Sequence, residues 1–113
     1  MEERTKALWD LLSYSVSNEE IKTRLSKFCW DIEEPLVILT RNNLIDVLLR
    51  LQQKQLTDSE VEEWANIIES REDIRFEESV TKQFVFELAN PVLYGRISDE
   101  KISEMLSALN DSL

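Results

Sequence analysis

The scarcity of helix-breaking residues is the feature that most constrains how this chain can fold. Its 113 residues include one glycine and two prolines, and its apolar residues recur at spacings of three and four positions rather than two. Such spacing is typical of helices with one buried face. The sequence therefore predicts an all-α protein, a compact bundle of five or six amphipathic helices that forms a single helical domain over residues 1–113.

Four helix starts are marked by one recurring pattern. A serine or threonine caps the helix, and the apolar residue before it packs against another one turn into the helix. The four caps are Ser17, Thr40, Thr57 and Ser98. Glutamate stands three positions after Ser17 and Thr57, which predicts a reciprocal capping box at these two starts and a simple cap at the other two.

Six helices follow from these starts and from the apolar spacing. They are predicted from near residue 2, after residue 17, and over residues 40–54, 58–70, 79–89 and 99–109, with Asn90-Pro91 ending the fifth. The third should lie centrally because its apolar face is broad. Residues 35–39 are open between helix and extended linker, and a strand is disfavoured because no convincing second strand exists to pair with them. The residues expected to face the core are Leu8, Leu11, Leu12, Ile21, Leu25, Phe28, Ile32, Leu44, Val47, Leu48, Leu51, Val61, Trp64, Ala65, Ile68, Val80, Phe84, Val85, Leu88, Ile102, Met105, Leu106 and Leu109.

The composition argues against an enzyme. The chain has no histidine, which removes histidine general bases, hydrolase triads and histidine metal sites. One glycine cannot build a glycine-rich phosphate loop, and the acidic residues lack the spacing of a calcium-binding loop. Cys29, beside Phe28 and Trp30, is expected to be a buried structural thiol. We therefore expect neither catalysis nor a bound cofactor or metal.

The expected cellular location follows from the same composition. The single cysteine excludes an intramolecular disulfide and favours a reducing compartment. Charged residues are too frequent in the first twenty positions for a signal peptide, and the longest apolar run is far too short to span a bilayer. The expected location is the cytoplasm, without membrane contact.

Charge is concentrated in residues 57–78. This segment holds nine acidic and two basic residues, and so carries seven of the chain's ten net negative charges. Such a field attracts a cationic partner and repels nucleic acid and anionic lipid. Acidic residues also continue past the predicted helix end, where helix stability alone would favour cations, and Ile67, Ile74 and Phe76 lie among them. Ile74 and Phe76 are equally compatible with the core.

We therefore predict a protein-binding surface within this segment, in which carboxylates surround an apolar anchor. On a helical wheel, Val61, Trp64, Ala65 and Ile68 share the buried side, while Glu62, Glu63 and Asn66 lie on the other. The predicted partner-binding residues are Glu62, Glu63, Asn66, Ile67, Glu69, Glu72, Asp73, Glu77 and Glu78.

Two phrases in the sequence resemble a known family. Residues 62–74 (EEWANIIESREDI) and 86–91 (FELANP) are similar to small helical immunity proteins of bacterial contact-dependent growth inhibition systems. The resemblance covers about residues 36–109. It implies a cytoplasmic antidote that binds the toxic C-terminal domain delivered by a neighbouring cell, often a nuclease, and blocks its active site. A nuclease needs a cationic cleft to bind phosphate, so an acidic helical surface complements that cleft in charge and is suited to blocking it.

Two other functions are compatible with the residues alone. One is an intracellular adaptor or regulatory protein that binds a partner through an apolar groove between helices, with the acidic residues serving solubility. The other is an inhibitor that mimics nucleic acid with its carboxylates. The mimic predicts binding to many nucleic-acid proteins, the adaptor predicts affinity nearly independent of salt, and the immunity protein predicts sharp discrimination among toxins.

Overall fold

The computed structural model describes residues 3–28 and 35–111, and the mostly helical fold expected from the sequence is confirmed. Within these ranges the elements are α1 (Glu3–Leu12), α2 (Asn18–Leu25), β1 (Val37–Leu39), α3 (Arg41–Gln52), α4 (Asp58–Glu69), β2 (Ile74–Phe76), α5 (Ser79–Ala89), α6 (Pro91–Tyr94) and α7 (Asp99–Asp111). None of the helices in this part of the chain is both long and apolar enough to cross a membrane.

The predicted caps form, with two differences in detail. At α4, Thr57 and Glu60 make the predicted capping box, and Ser98 accepts the backbone N–H of Lys101 at 3.1 Å. At α2, Ser17 accepts the N–H of Glu20, but the Glu20 carboxylate lies 3.8 Å from Arg24 instead of reaching back. At α3, a box was not predicted but is present, because the amide oxygen of Asn43 accepts the N–H of Thr40.

A small parallel sheet corrects the prediction for residues 35–39. β1 pairs with β2 in the register Val37 to Ile74 and Leu39 to Phe76. The second strand was missed because it is three residues long and lies inside the acidic segment. Ile74 is buried and Phe76 half-buried, so both are core residues, one of the two roles left open for them.

Most of the predicted core residues are buried in one hydrophobic cluster. Phe28, Val80 and Phe84 are half-buried and pack at its edge, and Ile32 lies outside the described residues. Trp64 of α4 is fully buried, and its indole Nε1 donates to the backbone oxygen of Leu11 at 2.8 Å. α4 also packs extensively on α5. This burial fixes one side of α4 and leaves the other side available for binding.

The turn between α1 and α2 is held by polar contacts. The backbone of Tyr14 has φ of 50°, a left-handed conformation that residues other than glycine rarely adopt. Its ring lies against Trp64, its hydroxyl accepts from Asn18 at 3.1 Å, and Arg50 lies over its face. Asn18 also donates to the backbone oxygen of Glu60. These contacts connect the turn to α3 and α4.

Candidate partner-binding surface

The outward side of α4 forms one wall of a groove whose other wall is α2. We call this the α2–α4 groove; its volume is about 790 Å³. The lining residues are Lys22, Leu25, Ser26, Phe28, Ser59, Glu62, Glu63, Asn66, Ile67, Ser70 and Arg71. Four of the nine residues predicted to bind a partner, Glu62, Glu63, Asn66 and Ile67, are thus brought together on one surface.

Apolar and polar groups are both available in this groove. Leu25, Phe28 and Ile67 supply apolar surface, and Phe28 and Ile67 are only half-buried. Glu63 pairs with Lys22 across the groove at 2.6 Å, with both side chains about half exposed. Asn66 donates to the backbone oxygen of Glu62 at 3.0 Å, and its amide oxygen is a hydrogen-bond acceptor in its own right. The groove therefore offers apolar contact area beside carboxylate and amide acceptors.

The predicted residues Glu69 and Glu78 lie in a different groove, which we call the α4–α5 groove. It has a volume of about 870 Å³ and lies between the C-terminal part of α4, β2 and α5. Partial burial raises the pKa of Glu69 above its ordinary value, opposed by a 3.5 Å hydrogen bond from Asn90. Arg75 and Lys82 also line this groove and form no ion pair within the described ranges, so it is less suited to a cationic partner.

The remaining predicted acids have separate surroundings. Glu72 is exposed in the loop after α4. Glu77 is also exposed, and its carboxylate accepts the backbone N–H of Arg41 at the start of α3. Glu78 forms a two-oxygen ion pair with the Arg41 guanidinium. Glu77 and Glu78 thus both contribute to fixing the N-terminus of α3.

Asp73 was predicted to lie on the partner-binding surface but is buried instead. Its side chain is 0% exposed and forms ion pairs with Arg4 at 3.1 Å and with Arg71 at 2.8 Å. A fully buried carboxylate between two guanidinium groups cannot meet a partner at the surface. Asp73 instead joins the start of α1 to the segment between α4 and β2.

The acidic segment is partly neutralised by bases from other elements. Three of its nine acids form ion pairs: Glu63 with Lys22, Glu78 with Arg41, and Asp73 with Arg4 and Arg71. The other six form none within the described part of the chain: Asp58, Glu60, Glu62, Glu69, Glu72 and Glu77. The excess negative charge is therefore smaller than the sequence implies, but it persists along α4 and beside it.

One exposed apolar feature was missed by the sequence analysis. The single-turn helix α6 carries Val92, Leu93 and Tyr94 at 97%, 72% and 42% exposure. The sequence does indicate this helix, because Pro91 is placed where a helix can begin and an apolar run follows it directly. The run was too short for the spacing analysis to register as a helix.

The described residues include no group of three or more cysteine, aspartate or glutamate side chains arranged to hold a metal ion. What the α2–α4 groove can supply is hydrogen-bond acceptors and apolar contacts, which is the chemistry of recognition. Comparisons with protein-family models, curated proteins and solved structures found no match to this chain.

Proposed function

We propose that this protein is an immunity protein of the contact-dependent growth inhibition type, which binds and neutralises a cognate toxin domain in the cytoplasm. The α2–α4 groove is the observation that carries the proposal. Glu62, Glu63, Asn66 and Ile67, chosen from sequence as partner-binding residues, line it together. The resemblance of residues 62–74 to such immunity proteins begins on this same helix and continues through the following loop to the start of β2.

The charge pattern supports a cationic partner. Both bases in the groove are already engaged, Lys22 with Glu63 and Arg71 with Asp73, whereas Glu62 forms no ion pair within the described residues. A lysine or arginine of the partner can thus approach Glu62 without displacing an internal base. Charge-assisted hydrogen bonds of this kind are stronger than neutral ones. A nuclease domain, with the basic cleft that phosphate requires, is the partner we favour.

The apolar part of the groove would supply binding affinity. The carboxylates would orient the partner and accelerate its association. Interfaces derive most of their binding energy from a few well-packed apolar or aromatic contacts within a polar rim. Opposite charges at the rim accelerate association and exclude wrong partners. Phe28 and Ile67, half-buried before any partner arrives, are suited to the first role, and Glu62 and Glu63 to the second.

Protection in cells tests the proposal. An immunity gene should lie directly downstream of a large secreted toxin gene, so the C-terminal domain of that toxin is produced from an inducible promoter with and without this protein. Growth should continue only when the protein is present. Replacing Glu62 by lysine should weaken protection, because it reverses a charge that no base among the described residues pairs with.

Asp46→Lys is the matched control for that experiment. Asp46 is an exposed acidic residue in α3 whose ion pair is a 3.8 Å surface contact with Arg50, so an acid is again replaced by lysine, but outside the α2–α4 groove and outside the cleft beside α6. Protection equal to wild type is expected. Absence of a neighbouring toxin gene, or failure of wild-type protein to protect against its product, would refute the proposed function.

An adaptor that binds a helix in the α2–α4 groove is the second candidate. The apolar side chains of Leu25, Phe28 and Ile67 favour it, because a groove between two helices can accept the apolar face of a third. Affinity that changes little with salt would support the adaptor, and steep weakening with salt would support the toxin antidote. Binding to many unrelated nucleic-acid proteins would instead indicate a nucleic-acid mimic.

A further inference from the structure

We infer that Val92 and Leu93, at the exposed tip of α6, are the apolar anchor that enters the partner, and that the partner presents an apolar pocket edged by lysine or arginine. This inference rests on the proposed function, since the partner it concerns is the toxin domain. It adds a contact element outside residues 57–78, where the sequence analysis located the binding surface.

The exposure of these two side chains is unusual for the fold. Val92 is 97% exposed and Leu93 72%, although the core elsewhere buries most of the chain's leucine and valine. Adjacent large apolar residues left in water mark binding sites more often than isolated ones do. Because they contribute almost nothing to the core, their presence is better explained by a contact with another molecule.

The backbone that carries them is held in place. The backbone N–H groups of Leu93 and Tyr94 both donate to the backbone oxygen of Asn90, at 3.0 and 3.1 Å. The Tyr94 ring packs edge-on against Phe86 with 5.4 Å between the ring centroids, and the Lys101 ammonium donates to the backbone oxygen of Tyr94 at 3.0 Å. An apolar tip on a fixed backbone loses little conformational entropy on binding, which is an advantage in an anchor.

Charge around the tip selects the partner. Val92 lines a small cleft with Asp58, Glu62 and Arg96. Neither Asp58 nor Glu62 forms an ion pair within the described residues, and Arg96 is a single base beside them. Glu62 also lines the α2–α4 groove, so the tip and the groove share one boundary residue. A basic surface that contacts Glu62 in the groove can therefore reach Val92 as well.

The same charge argues against two other occupants. Two copies of a chain with net charge −10 repel each other, and carboxylates next to the tip would face each other in a symmetric contact. Anionic lipid is repelled for the same reason. A basic protein surface is the occupant whose charge complements this one.

The experiment measures affinity for the purified C-terminal toxin domain encoded upstream, by isothermal titration calorimetry. The double variant Val92→Ser/Leu93→Ser should bind about 30-fold more weakly than wild type, with an unchanged dependence on salt because no charge is altered. Leu49→Ser, a change at an apolar residue of α3 that is 39% exposed, is the matched control and should bind like wild type. Circular dichroism of the double variant should match wild type, since the tip contributes little to the core, and circular dichroism of Leu49→Ser checks that the control variant is folded.

The outcomes separate the two claims. If wild type binds no toxin domain, the proposed function fails and the anchor assigned to it fails too. If wild type binds and the double variant binds equally well, the anchor alone is overturned. Sedimentation of the free protein should show a monomer, and flotation with vesicles that contain anionic phosphatidylserine should show no binding. A dimer or a vesicle complex that the double variant abolishes would assign the tip to that contact and overturn the inference.

Discussion

Neutralising Asp73 should remove a large part of the folding stability. The buried carboxylate accepts two hydrogen bonds from Arg4, at 3.2 and 3.1 Å, and two from Arg71, at 2.9 and 2.8 Å. In Asp73→Asn, one acceptor oxygen becomes an NH₂ group that faces guanidinium donors, and the negative charge between two cations is lost. Disrupting a buried ion pair by removing one charge costs about 3 kcal/mol, a substantial fraction of the roughly 5–15 kcal/mol typical of a domain. The melting temperature should fall by roughly 12 °C.

Urea unfolding followed by circular dichroism at 222 nm measures this effect. Glu72→Gln is the matched control, since it makes the same charge change one position away on an exposed side chain; its free energy of unfolding should stay within about 0.5 kcal/mol of wild type. Equal stability of the two variants would show that the ion pairs of Asp73 with Arg4 and Arg71 do not stabilise the fold. If Asp73→Asn kept its stability but lost toxin binding, the assignment of Asp73 to the interface, made from sequence, would be right.

Three further predictions concern single side chains. Trp64→Phe removes the buried indole hydrogen bond to Leu11 and should lower the free energy of unfolding by about 2 kcal/mol in urea titrations. Burial raises the pKa of the Tyr14 hydroxyl above 10.0. The stability that the neutral hydroxyl contributes to the fold is therefore complete below pH 10.0 and is lost as the pH rises through the raised pKa. Tyr14→Phe should therefore flatten the alkaline loss seen in thermal melts at pH 9 to 11. Partial burial also raises the pKa of Glu69. The ionised carboxylate is therefore disfavoured in the folded state, so Glu69→Gln should be more stable than wild type at neutral pH in urea titrations, and the difference should vanish as the pH falls below the ordinary glutamate range.

Local chemistry explains why the helices could be predicted. A cap, an N3 acceptor and an apolar pair lie within about six residues of one another, so the sequence alone indicates where a helix begins. α5, predicted over residues 79–89, has those bounds in the structure. The apolar spacing also placed Trp64 on the buried face of α4, where it is fully buried. Such features need no knowledge of distant residues.

The features that sequence analysis missed depend on distant partners or on short segments. β1 and β2 pair residues 37 positions apart, Val37 with Ile74, and three-residue strands leave almost no periodic signal. The ion pair between Arg4 and Asp73 spans 69 positions, so the sequence presented Asp73 only as another member of an acidic segment. α6 has one turn, and its significance appears only when its exposure is known.

The candidate surface could be predicted only in part, because only one of its two walls follows from local helical spacing. Glu62, Glu63, Asn66 and Ile67 follow helical spacing on α4, so their common surface could be inferred from a helical wheel. The opposite wall, α2, and the pairing of Lys22 with Glu63 required the tertiary structure. The internal bases that reduce the segment's charge likewise come from elements far along the chain.

Association kinetics measured at several salt concentrations test whether the acidic α2–α4 groove recognises the partner. The association rate constant of the toxin domain that the proposed function assigns as partner is measured by stopped-flow fluorescence between low and high ionic strength, for wild type and for a variant with Glu62 and Glu63, the two carboxylates of the α2–α4 groove, changed to lysine. The wild-type protein should associate fast, with a rate that falls steeply with salt, and the variant should associate more slowly with a flattened salt dependence. Identical rates and salt dependence for the two proteins would contradict the claim that this acidic surface recognises the partner.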